Sequence, residues 1–259
     1  MVSRLLIEYD GTAFFGWARQ LGRRTVQEQV ERALAVALRE TFALTVAGRT
    51  DRGVHAWGQV ASYPGPPVRV SSINALLPAD VAVLECSSAP DGFDARHDAR
   101  SRTYCYRVLA RRGRSALEAG RALWWPHALD FDALAACADA LCGTHDFTAF
   151  TRTETVHQRF AREVFAARWE RRALSRGSAG GGGSVGGLDS VSGGALLEFW
   201  IEADSFMRQM NRALVGTMLE VGGGRRTLSQ FGALLEGAQR SAAGRTAPAH
   251  GLALASVRY

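Results

Sequence analysis

Residues 25–63 read TVQEQVERALAVALRETFALTVAGRTDRGVHAWGQVASY, and three patterns within them decide the fold. Thr25-Val26-Gln27-Glu28 has the form of a capping box, a hydroxyl residue followed three places on by a carboxylate, which opens a helix. Val26, Val30, Leu34, Ala37 and Leu38 then recur at helical spacing and place an apolar stripe on one face. Phe42, Leu44 and Val46 alternate as a half-buried strand ending at Gly48, and Val60 to Tyr63 continues as another after a polar interruption. Upstream, Leu5-Leu6-Ile7 with Tyr9 forms a short strand. Downstream, Ser72 to Leu77 is a short helix stopped by Pro78, and Val81 to Cys86 is strand again. The order is β-α-β-β-α-β.

The same order recurs later in the chain. Tyr104 to Leu109 is a strand and Asp130 to about Leu141 a helix. Strands around Val164 to Trp169 and Leu196 to Ile201 follow, then a helix from Phe206 to Val221 and a last strand near Leu252 to Arg258. A doubled split β-α-β unit of α+β class is therefore expected, with halves at 1–101 and 102–259 and a cleft where their loops converge. Residues 177–194 hold nine glycines in eighteen positions between two strand patterns. They read as a flexible, disordered hairpin insertion, since a phosphate cradle sets its glycines at fixed offsets before a helix.

The chain's 259 residues, 47% hydrophobic and 22% charged, describe a foldable globular protein and exclude a peptide or disulfide-stapled scaffold. No window approaches 18 apolar residues, and MVSRLLIEYD carries Glu8 and Asp10 where a signal peptide needs apolar residues; a cytoplasmic protein without membrane contact is expected. Cys86, Cys105, Cys137 and Cys142 form no CxxC pair and lie in apolar runs, which predicts buried, reduced thiols. All 31 basic residues are arginine, and the formal charge is +6. Arginine forks onto phosphate bidentately, so a polyanionic partner fits this balance, and a GC-rich coding sequence accounts for the arginine bias equally well.

Chemistry concentrates in Gly48-Arg49-Thr50-Asp51-Arg52-Gly53-Val54-His55-Ala56. Two glycines, three charges and a histidine do not make a core segment. One reading is a polar turn in which Asp51 caps Gly53. The other is a carboxylate kept ionised by Arg49 and Arg52 and available as nucleophile or base. The six histidines are scattered without ligand spacing, so no metal is expected. Trp124-Trp125 fits packing better than stacking on RNA.

The string AGRTDRGVHAWGQVASY resembles the signature loop of the TruA class of tRNA pseudouridine synthases. YDGTAFFGWARQ, NALLPADVAV, FDARHDARSRTYCYRV, GTHDFTAF, FMRQMNRALVGTMLEVG and APAHGLALASVRY resemble the family in the same order, over nearly the whole chain. The resemblance implies two ferredoxin-like halves joined in one extended, mainly antiparallel sheet, a homodimer, a tRNA substrate, and isomerisation of uridines at positions 38, 39 and 40 without cofactor or metal. By carry-over Asp51 is the catalytic nucleophile or base, and Tyr104 packs on the flipped uracil, with handling of the C5 proton as a second role. Arg212 pairs with the carboxylate, Arg49 helps to extrude the base, and His55 belongs to the substrate-binding string. Arg52 is a departure, since the family commonly has alanine there; an orientation toward RNA phosphate is expected.

Two rivals remain at this stage. A non-catalytic RNA-binding module would share the charge and aromatics but would not place Asp51 among phosphates. An aspartate-nucleophile hydrolase would need a cluster of metal-binding carboxylates, which the sequence does not suggest.

Overall fold

The structure, a computed structural model, describes residues 1–153, 158–174 and 194–259. The first half contains β1 (Val2–Tyr9), α1 (Val26–Leu38), β2 (Thr45–Val46), β3 (His55–Pro64), α2 (Val70–Asn74) and β4 (Val81–Ala89). The second contains β5 (Ser101–Ala110), β6 (Leu123–Trp125), α3 (Phe131–Asp139), β7 (Gly143–Asp146), β8 (Ala161–Ala173), β9 (Ala195–Ala203), α4 (Met210–Gly222), α5 (Leu228–Gly232) and β10 (Leu252–Arg258).

These strands form one ten-stranded sheet in the order β4-β1-β3-β10-β5-β9-β8-β7, with β2 added to β3 and β6 to β5. Pairing is antiparallel except at β10–β3 and β5–β6. The run β4-β1-β3-β2 and the run β10-β5-β9-β8 repeat one arrangement, that of a split β-α-β unit. The expected α+β class and the doubled unit are both present. β10 joins the repeats: Ala253 and Leu254 pair with His55 and Ala56 in parallel, and the strand's other edge pairs with β5.

Alternation along the strands selects the buried face. Leu5, Ile7 and Tyr9 of β1 share a core with Val26, Val30 and Leu34 of α1. Tyr106 and Val108 of β5, Phe199 and Ile201 of β9, Leu134 and Cys137 of α3 and Leu214 and Met218 of α4 continue it. The opposite face of the sheet shows solvent the exposed rings of Trp57 and Phe165, with Trp200 5.9 Å from Trp57 between ring centroids. Its charges pair among themselves, Arg258 with Glu202, Arg168 with Glu170 and Arg4 with Glu85.

Several boundaries differ from the sequence reading, each for a local reason. Thr25 is the N-cap of α1 but its side chain makes no capping bond. The first amides of the helix, Val26 and Gln27, donate instead to the carbonyls of Gly16 and Trp17. A reciprocal capping box occurs at Thr227 and Gln230. Phe42, Leu44 and Val46 are buried as expected, yet only Thr45–Val46 is in the ladder, because Leu44 N–H donates to Glu31 Oε1 at 3.0 Å. α4 begins at Met210 rather than Phe206, since Gln209 adopts φ 65°. Cys142, in the turn after α3, is exposed and Cys86 only half-buried, contrary to expectation; Cys105 and Cys137 are buried. The hairpin insertion expected at 177–194 lies, apart from Gly194, outside the described residues. No described helix is long and apolar enough to cross a membrane.

Candidate active site

β3 has β1 along one edge and two partners along the other. Ala61 and Ser62 pair with β2, and His55 and Ala56 with β10. The chain between those partners, residues 48–54, therefore emerges near the middle of the sheet. Three hydrogen bonds fix it from below, and a fourth ties two of the supporting side chains together. Tyr9 Oη and Thr50 Oγ1 are 2.7 Å apart, and Gln59 Nε2 donates to the Gly48 carbonyl at 2.7 Å and to Tyr9 Oη at 3.3 Å. Trp17 N–H donates to the Thr50 carbonyl at 3.1 Å. Gly53 provides the φ of 78° that the turn requires. The turn is closed by backbone, Val54 N–H donating to the Asp51 carbonyl at 3.2 Å, and the Asp51 carboxylate faces away toward Arg208, whose Nε lies 3.4 Å from Oδ1.

The loop borders a cleft of about 1090 Å³ whose lining includes seven arginines, Arg49, Arg52, Arg96, Arg102, Arg162, Arg208 and Arg212, and one carboxylate, Asp51. Such a wall concentrates positive potential around Asp51, the one acid lining it among the described residues. Tyr104 of β5 lies in the same cleft, edge-on to Phe206 at 5.0 Å, and a Cβ at position 48 would sit 3.6 Å from its hydroxyl. Burial pushes the Tyr104 phenol above its usual range, with the nearby Asp51 charge adding to the effect. Arg102 is a bracket between the halves: it donates to the carbonyls of Ala47, Arg96, Ala99 and Asp204. Half-buried Arg212 donates through Nε to the Ala247 carbonyl at 2.7 Å; burial lowers its pKa and the Asp51 charge opposes that. Among the described residues no group of three metal-donor side chains converges.

A family model described as tRNA pseudouridine synthase matches residues 5–96 and 137–259. The chain belongs to the tRNA pseudouridine synthase family. The tRNA pseudouridine synthase A of Mesorhizobium japonicum is 39% identical, the alignment covering 99% of this chain and 98% of that protein. Those of Frankia casuarinae and Bacillus pumilus are 43% and 35% identical, covering 99% and 100% of this chain and 88% and 99% of theirs. A tRNA pseudouridine synthase is an isomerase that converts uridine in tRNA to pseudouridine, and this is the enzyme's reaction class.

The synthase brings Asp51, Tyr104, Arg49, Arg52 and Arg212 to one cleft. Two details change. The carboxylate's ion pair is with Arg208, and Arg212 is turned toward Ala247. Arg208 stands before α4, separated from Arg212 on that helix by the left-handed Gln209. Arg52 lies with its guanidinium 4.3 Å over the Phe15 ring at the rim, exposed. His55 is not brought to this cleft. It is buried at the start of β3 and lines a separate hollow with Asp10 and Arg121. Gln59, Tyr9 and Arg102 were not singled out in the sequence, although Gln59 stands inside the quoted loop string as a polar residue in an apolar strand, a signal for a buried network.

Proposed function

We propose that this synthase acts on uridines 38, 39 and 40 of the anticodon stem-loop, as a cytoplasmic homodimer without cofactor or metal, with Asp51 as the reacting carboxylate. The observation that carries the reading is the position of Asp51, the single acid lining an arginine-rich cleft among the described residues. The arginines suit a phosphodiester backbone, and a lone carboxylate among phosphate contacts weakens binding unless it has chemistry to do. The division of the chain into 1–101 and 102–259 gives the cleft its two walls.

Moving uracil from an N1 to a C5 glycosidic bond requires the base to leave the stack. Arg49, exposed beside Asp51, fits the extruding role, and Tyr104 the platform on which the detached ring turns. Burial holds the Tyr104 phenol above its usual range, which suits a protonated ring that packs or donates better than a phenolate base for the C5 proton. Asp51 acts in one of two ways. It attacks C1′, the N1–C1′ pair leaving on uracil, and is displaced when C5 bonds to C1′. Alternatively it removes the C2′ proton to give a glycal, and that proton returns as C5 adds. In both, the C5 proton is lost and N1 gains one, so the product is an isomer. The homodimer is supported by the outer sheet face, where exposed Trp57 and Phe165 stand among charges already paired within the chain.

The test is to treat tRNA transcripts with the pure protein and map pseudouridine by carbodiimide and primer extension. Stops at 38, 39 or 40 are expected, and none with Asp51→Asn, a variant that keeps the shape of the turn and is expected to bind tRNA with an unchanged melting temperature. Pseudouridine only at other positions overturns the site assignment, and turnover by Asp51→Asn overturns the role of the carboxylate.

A further inference from the structure

His55 follows the loop that carries Asp51 by four residues, is 7% exposed, and makes contacts in three directions. Gly11 N–H donates to its Nδ1 at 3.0 Å, which makes Nδ1 the unprotonated nitrogen and Nε2 the donor. Nε2–H then points at two carbonyls, Gly120 at 2.9 Å and His250 at 3.1 Å. Gly11 belongs to the first half; Gly120 and His250 belong to the second. The charged neighbours are Asp10, with Oδ1 3.3 Å from Nδ1, and Arg121, 3.7 Å from the other Asp10 oxygen.

Two of the three contacts, those to Gly11 and His250, lead back to the cleft. On one side, Gly11 packs so closely on Val54 that a Cβ there would lie 2.0 Å from the Val54 carbonyl oxygen. The segment it begins accepts the Gly53 N–H at Phe14 and gives the Trp17 N–H to Thr50, so it grips the loop on both sides of Asp51. On the other side, His250 is three residues from Ala247, whose backbone makes reciprocal bonds with Arg212: Ala247 N–H donates to the Arg212 carbonyl at 2.9 Å and Arg212 Nε donates to the Ala247 carbonyl. A single imidazole thus joins the support of Asp51 to the support of Arg212.

We propose that His55 is a positioning residue that sets the separation between the Asp51 loop and the Arg212 wall, and that it does so as a neutral imidazole bridging Gly11 to the Gly120 and His250 carbonyls. It does not touch the tRNA. This rests on Asp51 being the reacting carboxylate.

The experiment measures single-turnover rate at saturating tRNA, tRNA affinity and melting temperature for three variants. His55→Phe keeps ring volume and removes all three bonds. His55→Gln retains a donor for the two carbonyls, and His55→Asn retains an acceptor for Gly11. A small misplacement of reacting groups lowers rates by about 100-fold, so His55→Phe is expected to fall by that order with affinity changed less than about threefold. His55→Gln should recover about tenfold of the loss because it restores the link between halves, and His55→Asn should recover less. A purely stabilising residue would lower the melting temperature and leave the rate at saturating tRNA unchanged, and that result overturns the proposal; so does a loss that appears in affinity alone. If His55→Phe does not fold, Gln exceeding Asn in rate supports the bridge, and wild-type rate in either overturns it. Residual turnover by Asp51→Asn would overturn the reading of Asp51 itself, whatever the His55 variants do.

Discussion

Arg208 Nε and Asp51 Oδ1 lie 3.4 Å apart and come from opposite halves of the chain, so the ion pair spans the cleft that substrate must enter. Arg208 is 61% exposed and Asp51 25%, which places the pair in solvent-screened surroundings where such contacts contribute about 0–1 kcal/mol. Arg208→Ala is therefore expected to leave the melting temperature within about 1 °C while reducing the single-turnover rate. Arg212→Ala should lower the melting temperature as well as the rate, because its guanidinium is half-buried against Ala247. Thermal melts and rapid-quench assays on the two variants check the contrast; equal melting temperatures would count against it.

Gln59 is fully buried and supports the Gly48 carbonyl and Tyr9 Oη. Gln59→Leu leaves both groups short of a partner at a cost of about 1–3 kcal/mol, and loosens the loop ahead of Asp51. Lowered stability together with a lower rate is expected in denaturant titrations and turnover assays. Stability lost with full activity retained would show that the network serves the fold alone.

Arg52→Ala should weaken tRNA binding and reduce the salt slope by roughly one phosphate contact, leaving the single-turnover rate unchanged. The exposed guanidinium over Phe15 fits this rim position. Filter binding at several salt concentrations supplies the slope. A collapse of the chemical step with binding intact would place Arg52 in the reaction.

All five tyrosines are pushed above their ordinary range, chiefly by burial, Tyr9 to about 12. Each then holds its proton in the folded state at a pH where the unfolded chain has lost it. Stability is complete below pH ~10 and falls as pH rises toward 12 and beyond. Absorbance at 295 nm should show tyrosinate appearing together with cooperative unfolding. A smooth titration near 10 with the fold intact would contradict the burial.

Trp57→Glu places a charge on the outer sheet face beside Trp200. With a homodimer through that face, light scattering should show monomers for the variant and dimers for the parent protein, with the fold unchanged by circular dichroism.

Element order was legible because periodicity survives in single stretches: the stripe Val26, Val30, Leu34 and the alternation Leu5, Ile7, Tyr9 both end in the core as read. The exceptions occur where a distant group replaces a local one. Glu31 takes the Leu44 amide out of the ladder, and the Gly16 and Trp17 carbonyls replace the Thr25 cap. The same limit applied to the site. Asp51 and its cleft companions stood out as a dense polar string, but the exchange of Arg212 for Arg208 as ion-pair partner depends on the single left-handed residue Gln209. The position of His55 depends on carbonyls at 120 and 250, far away in sequence.

β10 is the last strand in sequence and yet lies at the centre of the sheet, between β3 and β5. During synthesis the first half leaves the ribosome with the His55–Ala56 end of β3 still an open edge, an invitation to pair with the wrong strand. Only when residues 252–258 arrive does that edge close, and with them come the preceding carbonyls that Arg212 and His55 use. A chain without this strand still carries Asp51 and Tyr104 but lacks the element that pairs with both β3 and β5 and so holds the two walls of the cleft together.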